Sequence, residues 1–209
     1  MTVVEAIAAF TLAAGLLTLT PGLDTALILR TAAVEGPKRA VLAMAGIEAG
    51  CFCWGALAAF GVGAVLQASV LAFTILKWAG AAYLVWLGIN LILKPRDSFE
   101  VSTQGSASAG GDTTWMRRGF LSNMLNPKMG VFYVSFLPQF LPHGVPAAPF
   151  MLGLTAIHMV LGVLWLGLLI AATQPIARVL KRAAVVRWLD RVTGGVFVAF
   201  GVRLAFDRR

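Results

Sequence analysis

Leu19-Thr20-Pro21-Gly22-Leu23-Asp24 and Leu125-Asn126-Pro127-Lys128 are the two stretches that decide how this chain is read. Each interrupts an otherwise apolar run of the length an α-helix needs to cross a bilayer, roughly 20 residues for about 30 Å of hydrocarbon. Proline removes a backbone donor and crowds the preceding turn, and glycine beside it permits sharper distortion. Each break also carries an ionisable residue, Asp24 in one and Lys128 in the other. A charge at mid-helix costs about 2.5–3.5 kcal/mol on insertion scales, so such residues persist where they are paired or used. A single proline is tolerated in a membrane helix as a plain kink. Two matching breaks, each beside a charge, point instead to a carrier's binding site near the midplane.

Working outward, the 209 residues are 59% hydrophobic and 12% charged, against about 45–50% and about 25% in soluble domains. The excess falls in six runs, at about 4–29, 39–65, 70–93, 117–141, 149–172 and 186–206. The expected fold is an all-α integral membrane protein of six transmembrane helices. Residues 1–95 form a first three-helix repeat and residues 117–209 a second, with a flexible cytoplasmic linker over 96–116. The linker is rich in Ser, Gly, Thr and Asp and has little apolar surface to bury. Because three is odd, the second half enters the membrane with opposite polarity, so the repeats are inverted and each has a broken first helix. No stretch remains for a separate soluble domain, which excludes a cytosolic enzyme, a disulfide scaffold and a disordered chain. The first run lacks a basic n-region and is too long for a cleavable signal peptide.

The formal charge of +8 fits a membrane better than nucleic acid, because the basic residues sit in short loops between apolar spans. Arg30, Lys38 and Arg39 follow the first span. Lys94, Arg96, Arg117 and Arg118 flank the linker, and Arg178, Lys181, Arg182, Arg187 and Arg191 precede the last span. The loops near Gln67–Ser69 and Pro142–Pro149 carry no Lys or Arg, and only Arg203, Arg208 and Arg209 fall on their side. The positive-inside rule therefore places both termini outside the cytoplasm of a multi-pass inner-membrane protein.

Thr20, Pro21, Gly22, Asp24, Asn126, Pro127 and Lys128 are the candidate substrate and ion pathway. Lys128 suits a substrate carboxylate, helped by backbone N–H groups freed at the break. Asp24 suits a substrate ammonium or a coupling proton. The competing reading makes Asp24 a solvated residue at the cytoplasmic end and lets Lys128 snorkel. Glu48 joins the pathway set, although it also lies within reach of the cytoplasmic end. It sits between Gly46 and Gly50, whose G-x-x-x-G spacing lets another helix approach closely. Lys77 reads as a snorkelling residue, and His158 as either a proton relay or a hydrogen-bonded core residue. Cys51 and Cys53 lie about 200° apart on a helix, so they cannot jointly grip a metal and read as small buried hydrophobes. The six tryptophans read as interfacial anchors or packing residues. No nucleophile–base pair, phosphate-cradling loop or zinc motif is present, so no cofactor, no metal and no enzyme activity is expected.

These residues resemble a known family, the LysE/RhtB-type amino-acid efflux permeases, over nearly the whole chain. The resemblance is carried by Leu19–Thr25, by Leu76–Gly88, by Gly119–Lys128, by Phe136-Leu137-Pro138-Gln139-Phe140, and by Thr193-Gly194-Gly195 with Gly201–Leu204. It implies export of amino acids or close derivatives from the bacterial cytoplasm, coupled to the proton or membrane potential, with Pro21, Gly22, Asp24, Asn126, Pro127 and Lys128 in the site. Leu23 stands where the family commonly has a second proline, and Glu48 where it has an apolar or small residue. The added carboxylate favours a more cationic cargo.

The expected function is thus a secondary exporter working by alternating access. Its partners are a small-molecule amino acid, protons and the lipid bilayer, with a homodimer allowed and nucleic acid excluded. Two other classes compete with it. Divalent metal export would use Glu48, Cys51 and Cys53, of which only Glu48 and Cys51 share a helix face. A membrane thiol or electron carrier would need a cysteine in each half, and the second half has none.

Overall fold

The structure, a computed structural model, describes residues 2–68, 78, 81–82, 85–86, 88–95, 111–173 and 182–206. Among these, every regular element is helical. Helix α1 (Val3–Leu19) opens on a capping box. Thr2 Oγ1 accepts from the Glu5 amide at 3.2 Å, and the Glu5 carboxylate accepts from the Thr2 amide at 2.8 Å, which satisfies two of the donors a helix start leaves open. Helix α2 (Leu23–Val34) follows after the first break at an angle of 51°. Gly36 then takes φ +92°, the left-handed conformation that ends helices, and Pro37 starts α3 (Pro37–Ala68) at once.

Most of the third expected span, including Lys77, lies outside the described residues, although residues 88–93 are helical. The second half resumes with α4 (Asp112–Met124), the short α5 (Pro127–Val131), a π-helical turn (Phe132–Phe136) and a 3-10 turn (Leu137–Phe140). It closes with α6 (Ala147–Ala171) and α7 (Ala183–Phe206).

Two of these helices are long and apolar enough to span a membrane, over Pro37–Gly61 and Ala147–Ala171. Each has 25 residues, with mean hydropathy 1.6 and 2.2, and at 1.5 Å per residue each is about 38 Å long. The bent pair α1–α2 passes the same test when its two helices are taken together, as a broken span or a re-entrant loop. Leu57, Phe60, Val160 and Leu164 stand exposed on the outside of these helices, the arrangement a hydrocarbon solvent favours.

Several boundaries differ from expectation. The expected linker reached residue 116, but residues 112–116 already belong to α4. Trp115 explains this: it is fully buried, and the Arg118 guanidinium sits 4.5 Å from its ring centre, so this turn has apolar surface to bury. The span expected over 117–141 breaks at Asn126, where its proline pointed, but beyond the break it ends in π and 3-10 turns and not in regular α-helix. The wider π turn brings Phe132 and Phe136 into a stack with Phe140 and Phe10, with ring centres 5.0–5.9 Å apart. Aromatic packing thus stabilises an irregular backbone, as π turns near functional sites often require.

Helices α3 and α4 cross in close contact because each presents a glycine to the other. A Cβ on Gly46 would strike the Met116 carbonyl, and one on Gly119 would strike the Ala43 carbonyl. One turn on, a Cβ on Gly50 would lie 2.7 Å from Asn123 Oδ1. At the polar end of the same pair, Lys38 Nζ meets Asp112 Oδ2 at 2.8 Å in the open, and this ammonium holds the Asp112 carboxyl below the usual carboxylate range. The tryptophans divide by role: Trp78, Trp86 and Trp188 are exposed, Trp115 is core, and Trp54 and Trp165 are half-buried against the interior.

Candidate functional site

The two breaks interlock. Pro21 has no N–H to give the Leu17 carbonyl four residues back, and that carbonyl accepts instead from Lys128 Nζ at 2.9 Å. Lys128 Nζ also donates to the Thr20 carbonyl at 3.0 Å, so a cation rests on the negative end of the α1 dipole. Pro127 likewise gives nothing to the Asn123 carbonyl, which accepts from Trp54 Nε1 at 3.4 Å and from the Asn126 amide at 3.1 Å. Asn126 caps α5 through its side-chain oxygen, which accepts from the Lys128 amide at 3.1 Å.

In the other direction, Asp24 reaches from the first turn of α2 into the second break. Its carboxylate accepts from Ser122 Oγ at 2.9 Å, from Asn123 Nδ2 at 3.0 Å and from Asn126 Nδ2 at 3.5 Å. Three donors leave neither oxygen of this half-buried carboxylate without a partner. Each break therefore supplies what the other lacks: the second sends its cation to carbonyls freed in the first, and the first sends its anion to donors around the second.

Between them lies a cavity lined by Thr20, Gly22, Asp24, Glu48, Asn126 and Lys128, with Cys51, Asn123, His158 and Trp165 completing its polar wall. A Cβ on Gly22 would sit 3.8 Å from Lys128 Nζ, in ordinary contact. The backbone at Gly22 is extended, with φ −153°, so this glycine serves proximity to the cavity and not an unusual conformation. Thr20 anchors the first break to α7 by a hydroxyl–hydroxyl hydrogen bond with Thr193 and returns a second bond to the Leu16 carbonyl at 2.8 Å. Pro21 is buried beside it.

Glu48 is 8% exposed, and its Oε2 has no hydrogen-bond partner among the described residues. His158 Nδ1 lies 2.8 Å from the Tyr133 hydroxyl, both buried. Cys51 is buried and accepts weakly from Asn123 Nδ2 at 3.4 Å, so it has a polar partner and is more than an apolar filler. Cys53 is only partly buried. Among the described residues no three His, Cys, Asp or Glu side chains converge closely enough to hold a metal ion.

The structure thus gathers Thr20, Gly22, Asp24, Glu48, Asn126 and Lys128 around one space, while Gly46 sits in the α3–α4 contact and Gly50 packs on Asn123 at its edge. The sequence assigns no site role to Ser122, Asn123 or Tyr133, and reads Trp165 only as an anchor or packing residue. Adjacent Ser122 and Asn123 one turn before a proline break were the available signal, since polar side chains inside an apolar span need partners. Tyr133 gave none, because its role depends on the π turn that aims it at His158.

Known proteins resemble this chain over nearly its whole length. The family model of LysE type translocators matches residues 16–208. The homoserine/homoserine lactone efflux protein of Salmonella typhimurium is 34% identical over 202 residues, covering 96% of each chain. The leucine efflux protein of Klebsiella pneumoniae is 32% identical, covering 90% of this chain and 88% of its own. An uncharacterized membrane protein of Vibrio cholerae is 31% identical, with 94% and 95% covered. No solved structure matches the chain. With nearly its whole length matched, its two proline breaks included, the chain belongs to the LysE type translocator family.

Proposed function

We propose that this chain is a secondary exporter of amino acids or close derivatives across the bacterial cytoplasmic membrane. In this reading six spans form two inverted three-helix repeats with both termini outside, and the halves rock around the two breaks to expose the cavity alternately. Relatives named for efflux of homoserine and its lactone, leucine and threonine support the cargo class. The observation that carries it is that Asp24 and Lys128, one from each break, line the same cavity. An α-amino acid presents one ammonium and one carboxylate a few ångströms apart. Asp24 is the acceptor for the first and Lys128 the donor for the second. Both already rest on the opposite break, so cargo that draws on either charge loosens the clasp holding the breaks together, and this couples binding to movement. An inward proton gradient drives the cycle.

The test is efflux of radiolabelled homoserine, threonine and leucine from preloaded proteoliposomes. Purified wild-type protein is expected to accelerate release of at least one of them, and Asp24→Asn is expected to remove the acceleration. Release at the protein-free rate for all amino acids, alongside acceleration of cadmium, would replace this reading with metal export.

A further inference from the structure

Two carboxylates line the cavity, and they are not equivalent. Asp24 is half-buried and collects three donors, whereas Glu48 is almost wholly buried and its Oε2 finds no donor among the described residues. A carboxylate anion in that setting carries a large desolvation penalty, and either a proton or a cation relieves it. Space decides between the two. Helix α6 presses on Glu48 at Gly162, where even a Cβ would stand 2.5 Å from Oε1. On that side a cargo's second cationic group has no room, while a proton needs none.

Resting on the exporter reading above, we propose that Glu48 is the proton-carrying group of this transporter and leaves Asp24 to bind the cargo. The groups around it are consistent with such a division. Asp24 faces it from α2 as a like charge and disfavours two anions in one cavity, and Lys128 faces it from α5 as the only described cation there. Helix α4 contributes the neutral Asn123. Helix α6 contributes His158, which is held by the Tyr133 hydroxyl from the π turn, and Cys51 lies one turn along on α3 itself. From the outward-facing state a proton enters onto a Glu48 oxygen as cargo leaves. In the inward-facing state it departs to the cytoplasm as the next cargo ammonium binds at Asp24. One proton moves in for each cargo moved out.

The experiment compares two transport modes in proteoliposomes, using whichever of radiolabelled homoserine, threonine or leucine the wild type carries best. One is transport driven by an imposed pH gradient; the other is counterflow, the exchange of labelled for unlabelled amino acid with no gradient. Glu48→Gln mimics the protonated side chain, and its gradient-driven rate is expected to fall about a hundredfold, the low end of what a positioned proton-transfer group contributes, with a far smaller effect on counterflow. Glu48→Asp, which keeps a carboxyl group, is expected to restore part of the pH response, and Asp24→Asn to lose both modes. Equal loss of both modes in folded, monodisperse Glu48→Gln protein would overturn the assignment and make Glu48 a cargo ligand. An undiminished gradient response in Glu48→Gln would overturn it as well. A wild-type protein with no counterflow for any amino acid would bring down the exporter reading itself.

Discussion

At the scale of single residues, Lys128 has two duties that a neutral replacement separates. Its ammonium satisfies the Leu17 and Thr20 carbonyls, and an unsatisfied buried polar group costs about 1–3 kcal/mol. Lys128→Met fills a similar volume without a donor. It is expected to lose at least about 1 kcal/mol of stability, seen as a lower melting temperature in detergent, together with export. In Asp24→Asn the remaining oxygen can face the Asn123 and Asn126 amides while the new NH2 donates to the Ser122 hydroxyl, so its melting temperature is expected to stay near wild type while export is lost. If Lys128→Met melted as the wild type does, the carbonyl clasp would contribute nothing to folding. His158 offers a similar contrast. Tyr133→Phe removes the hydroxyl that meets its Nδ1 and is expected to destabilise the protein by about 1–2 kcal/mol as a broken buried hydrogen bond.

At the scale of elements, the α3–α4 crossing is the contact least able to accept side chains. Gly46→Leu and Gly119→Leu both drive atoms into a facing backbone carbonyl, where neither helix can yield without moving the other. Both are expected to fail to give monodisperse protein on size-exclusion chromatography. Gly153 on α6 is the control, because a Cβ there meets nothing within 4 Å. Gly153→Ala is expected to stabilise the protein by about 0.5–1 kcal/mol through helix propensity alone, measured as a raised melting temperature. Close approach has a functional consequence as well, since it brings Ser122 and Asn123 of α4 within reach of Asp24 on α2. The breaks themselves were readable from Pro21 and Pro127, because proline's missing donor acts locally. The π and 3-10 turns after the second break were not, because they follow from the packing of Phe10 against Phe132 and Phe140, residues more than a hundred positions apart.

At the scale of the whole molecule, the orientation proposed from the basic loops can be checked directly. With both termini outside the cytoplasm, a C-terminal alkaline phosphatase fusion is expected to be active and a C-terminal green fluorescent protein fusion dark. The reverse pattern would invert the positive-inside assignment. What the sequence by itself determined is the membrane class, the family, the position of both interruptions and the two charges beside them. Apolar run length, proline chemistry and the scarcity of charge within a span are all properties of neighbouring residues in the chain, and no folding is needed to see them. Only the tertiary structure decided which partners each charge takes: Lys128 on the carbonyls of α1, Asp24 among donors of the second half, and Glu48 buried with an oxygen that has no donor among the described residues. Those pairings join residues as far as 111 positions apart. They are fixed by how closely helices pack and how the chain bends at its breaks, quantities that emerge only when the whole molecule has chosen one arrangement.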